Sequence, residues 1–229
     1  MPEPSVAVLG LHGAPAGFLH MLASHRLLST SGSILESMNE AILYSIPPAT
    51  WVSWTTIMTG VPPGVHGITG FFHVDRMTGE SRLLTALDLE HPRIHEILSI
   101  NNVESIIVNP VPETPIIPVR KARIISWFLY TREPICHPEG WCKKWLGGKV
   151  KKPLKACQTQ PLEEEYNAIA DLVEDTSGEA TLYWVTLRAP DEIYHKCPEA
   201  LENPEILTPI ASAIDRIIHS LSKKTMRAS

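Results

Sequence analysis

Two proline pairs, Pro47-Pro48 and Pro62-Pro63, bracket the stretch that most restricts how this chain can fold. Proline fixes φ, lacks an N–H and disfavours helical geometry in the residue before it, so each pair closes one end of any regular element between them. The intervening Ala49-Thr50-Trp51-Val52-Ser53-Trp54-Thr55-Thr56-Ile57-Met58-Thr59-Gly60 has room for one short helix. It is expected to open at Thr50 and to stop at Gly60, where left-handed backbone costs least. Thr50 then sits at the N-cap, its hydroxyl beside the free amides of the first turn. Such an end attracts anions, phosphate above all. Local pattern alone favours a threonine that only caps.

The rest of the chain reads as alternating strands and helices. Ser5 to Leu11 is a continuous apolar run, as expected for a strand buried on both faces, and His12-Gly13-Ala14-Pro15 turns it into a helix through Phe18, Leu19, Met21 and Leu22. This is half of a βαβ unit, whose ligand site lies at the carboxyl end of the strand. A short helix from Ile34 to Met38 and a strand over Ala41 to Tyr44 lead into the Thr50 segment. Gly70 to Asp75 reads as a loop or edge strand, and His91 to Leu98 as a helix with Pro92 in its first turn. Further strands are expected over Val103 to Asn109 and Ala180 to Leu187, with amphipathic helices over Pro161 to Val173 and Ile206 to Leu221. The sum is an α/β chain: a doubly wound, mostly parallel sheet with helices on both faces.

Between residues 110 and 160 the pattern changes. Prolines 110, 112, 115 and 118 come first, then Trp127, Tyr130, Trp141 and Trp145 among Lys143, Lys144, Lys149, Lys151, Lys152 and Lys155. The segment is expected to be a cap inserted over the carboxyl face of a single domain spanning 1–229. A basic, aromatic cap suits a phosphorylated, ring-bearing ligand. A solvated loop anchored by tryptophans fits the same pattern.

A second cluster able to do chemistry follows the 180–187 strand. In Pro190-Asp191-Glu192-Ile193-Tyr194-His195, proline suits the first helical turn, so Asp191 and His195 fall at i and i+4 on one face. A carboxylate and an imidazole so placed can grip one divalent cation, or form a surface ion pair.

The whole string Pro-Pro-x-Thr-x-x-Ser-Trp-Thr-x-Ile-x-Thr-Gly, with Pro-Gly-x-His-Gly-Ile after it, resembles the nucleophile segment of the type I phosphodiesterase/nucleotide pyrophosphatase family. That family belongs to the alkaline-phosphatase superfamily of metal-dependent phosphoesterases. The resemblance implies an alkaline-phosphatase-like core, a threonine nucleophile at Thr50 that attacks phosphorus, and a polar residue at Ser53 that helps hold the phosphoryl oxygens. It implies one or two divalent ions, zinc or else manganese or magnesium, and a small phosphorylated substrate, a nucleotide among the candidates. Asp191 and His195 match the family's second metal-ligand motif. At the turn after the first strand the family has Asp-Gly, where Asp binds metal; here His12 keeps a possible ligand and removes a charge. The family's later Ser-Asp-His-Gly segment and a further histidine have no counterpart before Ser229, so the chain is expected to be incomplete at its C-terminus or degenerate. That leaves Asp191 and His195 for one ion and His12 and Thr50 for another, with His66, His73 and Cys197 as substitutes. Two readings follow: a metal-dependent phosphodiesterase or pyrophosphatase, or a non-catalytic relative that binds a phosphorylated ligand or partner.

Composition narrows the partners. A net charge of -5 gives no electrostatic case for nucleic acid or an anionic membrane, and no apolar run reaches the ~20 residues that span a bilayer. The start, Met1-Pro2-Glu3-Pro4, has no basic leader, and the reading is cytoplasmic. Four cysteines make no Cys-x-x-Cys pair; Cys136, His137, Cys142 and Cys157 could supply a structural zinc site, with free thiols or an occasional bridge as the alternatives.

Overall fold

A computed structural model describes residues 6–225, with side chains to Ser222. Met1–Ser5, which include the start read above as lacking a basic leader, and Met226–Ser229 lie outside the described residues. The strands are β1 (Val6–Leu11), β2 (Phe72–Val74), β3 (Ser81–Leu83), β4 (Ser105–Val108), β5 (Ala122–Ser126), β6 (Ile135–His137) and β7 (Leu182–Leu187). The α-helices are α1 (Phe18–Ser24), α2 (Gly32–Glu36), α3 (Thr50–Thr59), α4 (Pro63–His66), α5 (Ile94–Ile100), α6 (Lys143–Leu146), α7 (Gln160–Asp175), α8 (Ala189–Lys196) and α9 (Thr208–Thr225).

Five strands form one sheet in the order β1-β7-β4-β5-β6. The first four run parallel and β6 lies antiparallel on the edge. Every residue of β4 and β7 is buried, which is why both are mostly apolar and show no polar alternation. Alternation still sorts their side chains. Ile106, Val108, Tyr183, Val185 and Leu187 pack into the core under α1, α7 and α9. Ile107, Leu182 and Trp184 pack the other way, with Met58 of α3 and against Ile94 and Leu98 of α5. Helices therefore cover both faces, as expected of a doubly wound sheet.

Several local expectations change. Ala41–Tyr44 forms no strand: the segment is irregular, and Leu43 and Tyr44 are 93% and 88% exposed. A short apolar run of this kind cannot hold a strand without a sheet edge to pair with. The helix expected at His91 starts at Ile94, with Pro92 ahead of it. The 110–160 segment is divided between sheet and surface. β5 and β6 within it extend the sheet beyond β4, leaving the prolines before β5 and the stretch after β6 as connections outside the sheet. The cysteines are paired, Cys136–Cys142 and Cys157–Cys197, so neither a zinc site nor free thiols describe them.

Candidate active site

The carboxyl ends of β1, β4, β5 and β7 meet at one rim of the sheet. Asn109, just past β4, adopts φ 59° and ties the rim together: its side-chain amide donates to the Thr186 carbonyl (2.8 Å) and its carbonyl accepts from the Trp127 amide (2.8 Å). Asparagine tolerates left-handed backbone better than most residues with a Cβ.

His12 follows β1 directly, its amide bonded to the Leu187 carbonyl (2.8 Å), while its own carbonyl accepts from the Asp191 amide (2.9 Å). This last bond seats the start of α8 on the β1 turn. Gly13 makes the approach possible: at φ +72° it lies so near that a Cβ there would come within 2.6 Å of the Asp191 Cα and Cβ. Gly10 plays the same part for α3, since a Cβ on it would meet the Trp54 ring at 2.4 Å.

α3 begins one residue earlier in its capping geometry than the sequence suggested. Ala49 is the N-cap, in extended backbone, and Thr50 is the first helical residue. The Thr50 hydroxyl makes no capping bond. It lies instead 3.4 Å from His12 Nε2. Asp191 Oδ2 is 3.6 Å from that same nitrogen and 3.6 Å from His195 Nε2. Thr50, His12, Asp191 and His195 thus form one cluster, built from three separate elements. His195 is largely exposed, whereas His12 is largely buried. Ser53, one turn along α3, faces elsewhere: its hydroxyl pairs with that of Ser45 (2.6 Å).

The proton on His12 is fixed by a neighbour. Trp54 Nε1 lies 3.2 Å from His12 Nδ1, and an indole nitrogen can only donate. Nδ1 therefore accepts, and a neutral imidazole carries its proton on Nε2, facing Thr50 and Asp191. Burial pushes the His12 pKa below 6.5, opposed by Asp191 and assisted by His195, so the ring is neutral near pH 7. With the indole in place, Nε2 is a donor and has no lone pair for a cation. Asp191 and His195, a carboxylate and an imidazole one helical turn apart, keep donor atoms that could ligate a divalent ion. Ligation by His12 requires Trp54 to release Nδ1.

The proposed substitutes stand elsewhere. His66 is buried between the Thr56 hydroxyl (3.0 Å) and the Ile68 amide (3.1 Å), His73 lies on the exposed β2–β3 ribbon, and Cys197 is in a disulfide.

A cavity of about 790 Å³ opens beside the cluster, lined by Phe128–Arg132, Lys151–Pro153 and, on α8 and just before it, Arg188, Asp191, Glu192, His195 and Lys196. Its wall is held by residues that local pattern did not single out. Glu113, wholly buried, accepts bonds from the amides of Phe128 (2.6 Å), Leu129 (2.9 Å), Tyr130 and Thr131 (3.2 Å), and from the Thr131 hydroxyl (2.9 Å). The Phe128 ring then packs 5.6 Å from His12, and Tyr130 sits edge-on to Trp51 at 5.3 Å. On the opposite side, buried Arg188 pairs with Glu165 (2.7 Å) and Glu192. Removing one partner of such a buried set costs about 3–5 kcal/mol. The one signal in the sequence was an acidic residue among closely spaced prolines.

Comparison with known proteins places these features. The sequence pattern of type I phosphodiesterase/nucleotide pyrophosphatase matches residues 7–229. Phosphonoacetate hydrolase from Sinorhizobium meliloti 1021, in complex with phosphonoformate, superposes with a TM-score of 0.68 at 17% identity, over 96% of this chain and 54% of that one. Murine ectonucleotide pyrophosphatase/phosphodiesterase 5, as an inactive form in complex with AMP, gives 0.53 at 16% identity, over 99% and 53%. The chain spans about half the length of these solved structures. No curated protein matches it significantly. With its sequence pattern met over nearly the whole length and an alkaline-phosphatase-like sheet beneath it, the chain belongs to the type I phosphodiesterase/nucleotide pyrophosphatase family.

Proposed function

We propose that the chain carries the nucleophile half of a metal-dependent phosphoester hydrolase of the phosphodiesterase/pyrophosphatase type, acting on a small phosphorylated substrate. The observation that carries this reading is the convergence of an uncapped helix-tip alcohol, Thr50, with His12, Asp191 and His195 within 3.4–3.6 Å contacts. Family membership supports the reaction class, and the phosphonoformate and AMP bound by structural neighbours support the substrate class.

Thr50 Oγ1 attacks phosphorus as the bond from phosphorus to the leaving oxygen breaks, giving a phosphothreonine, and the hydroxyl proton passes to solvent. Water then attacks the phosphothreonine, releases the phosphorylated product and restores the alcohol. His12, protonated on Nε2, donates to a phosphoryl oxygen rather than acting as base. Asp191 and His195 would hold a divalent ion, which would supply positive charge to offset that of the phosphoryl oxygens. Ser53 holds a phosphoryl oxygen only if its hydroxyl leaves Ser45. The cavity holds the rest of the substrate. Two disulfides support work in an oxidising compartment rather than the cytoplasm expected from the N-terminal sequence.

One observation favours the second reading, a relative that binds without turnover: the lone pair of His12 is committed to Trp54. Hydrolysis of bis-p-nitrophenyl phosphate with added zinc or manganese separates the two. Wild type above background and Thr50→Ala at background supports the enzyme. Equal rates at background leave only the binding protein.

A further inference from the structure

We propose that the cavity beside Thr50 receives, besides the reacting phosphoryl group, a second oxyanion of the same small molecule, a carboxylate or another phosphoryl group, and that Lys151 is the side chain that binds it. The inference rests on the reading of Thr50 and its neighbours as the reacting site.

The charges of the cavity wall do not balance, and one imbalance lies below the surface. Arg188 is buried, but Glu165 and Glu192 neutralise it. Lys152 is exposed and pairs with Glu164 at 2.8 Å. Arg132 and Lys196 are exposed, so water satisfies them. Lys151 differs from all four. It is partly buried, and among the described residues its ammonium makes no ion pair. The acids nearest in charge are already engaged, Glu165 by Arg188 and Glu113 by the amides of residues 128–131. The environment is therefore hostile to its charge: burial first, and Arg188 second, pull the Lys151 pKa down to about 8 against the pull of Glu165 and Glu113. A cation withdrawn from water needs an anion or a full set of acceptors. Lys151 Nζ has one, the Phe128 carbonyl, which leaves two of its three N–H donors to offer.

Its position gives the missing partner a source. Lys151 lines the same cavity as Asp191 and His195. It also joins the reacting cluster by contact, since it grips the backbone of Phe128, whose ring packs on His12, whose Nε2 faces Thr50. A ligand with one charged group at Thr50 and a second a few bonds away satisfies both ends. A neutral second half leaves the ammonium as costly as before.

Titration calorimetry of the full chain at buffered free zinc tests this with three probes: ethyl phosphate, 2-phosphoglycolate and methylene bisphosphonate. The wild type is expected to bind one or both two-anion probes at least tenfold more tightly than ethyl phosphate, the scale of one charge-assisted hydrogen bond. Whichever probe gains identifies carboxylate or phosphoryl as the second group. Lys151→Met is expected to erase the gain while ethyl phosphate stays within about threefold, Lys151→Arg to keep most of it, and Lys144→Met, which removes the same charge elsewhere, to change nothing. Equal wild-type affinity for all three probes overturns the proposal, with no need for a variant that folds. So does a gain that survives Lys151→Met. If ethyl phosphate binds and hydrolysis depends on Thr50 but no gain exists, this inference alone fails. If no probe binds and Thr50→Ala is silent, the underlying reading fails with it.

Discussion

Two buried carboxylates organise turns in this molecule, and they differ in what the turn is for. Glu113 gathers four amides and a hydroxyl from residues 128–131. Asp215, on α9, gathers the Thr30 and Ser31 amides (2.9 and 2.8 Å) and the Ser29 and Ser31 hydroxyls (3.0 and 2.5 Å). Both devices give a turn the acceptors that regular secondary structure would otherwise supply. The Glu113 turn forms a wall of the cavity; no residue of the Asp215 turn lines it. One knot therefore holds the site and the fold, the other the fold alone, which makes each the control for the other.

The largest expected effect is at Glu113. Glu113→Gln keeps one acceptor but strips the charge from several charge-assisted bonds, and is expected to cost about 3 kcal/mol of stability. Because Phe128 and Tyr130 pack on His12 and Trp51, the displaced wall should also lower kcat/KM roughly tenfold or more. Denaturant unfolding and steady-state kinetics on one preparation read both. Asp215→Asn should cost about 2 kcal/mol in the same unfolding experiment while kcat/KM stays within about twofold. A matching catalytic loss there would break the comparison. Acid sharpens it next. Burial, the strongest influence on Asp215, raises its pKa, but bonds from Ser31, Thr30 and Ser29 together outweigh it and leave the carboxyl below 3.8. A depressed folded pKa contributes stability that is complete above 3.8 and fades as pH falls through the folded value, so Asp215→Asn and wild type should converge in strong acid. Ser29→Ala removes one exposed contributor and should cost less than about 1 kcal/mol. Leu43→Ser, in the stretch before Thr50 that no knot holds, should stay within about 0.5 kcal/mol.

The order of strands and helices was legible where the pattern is local. The run at Leu182–Leu187 is continuous because both faces are covered, whereas Val6–Leu11, expected to be buried on both faces, forms an edge strand in which only Gly10 is fully buried; the Thr50 helix lies between prolines and a glycine that leave it little choice. Asp191 and His195 were placed together by helical spacing alone, and their nearness to Thr50 needed the β1 turn and Gly13 to be seen. Ala41–Tyr44 misled because strand propensity is silent on whether an edge is available. β5 is hard to see locally although Ile124-Ile125 is a strand-like pair, because the closely spaced prolines ahead of it suit a connection outside the sheet equally well. Glu113 could not be recognised locally: its partners lie fifteen to eighteen residues on. The cysteine connectivity is equally non-local, because four thiols allow three pairings.

The bond between Cys157 and Cys197 closes a covalent ring around the chain segment that contains α7, β7 and α8, and with them Asp191 and His195. A protease that nicks the backbone once anywhere inside that ring leaves a single molecule of unchanged mass plus one water. Only a thiol reagent then parts the two fragments, so a gel run with and without reductant reveals a cut that a size measurement on the native protein would miss.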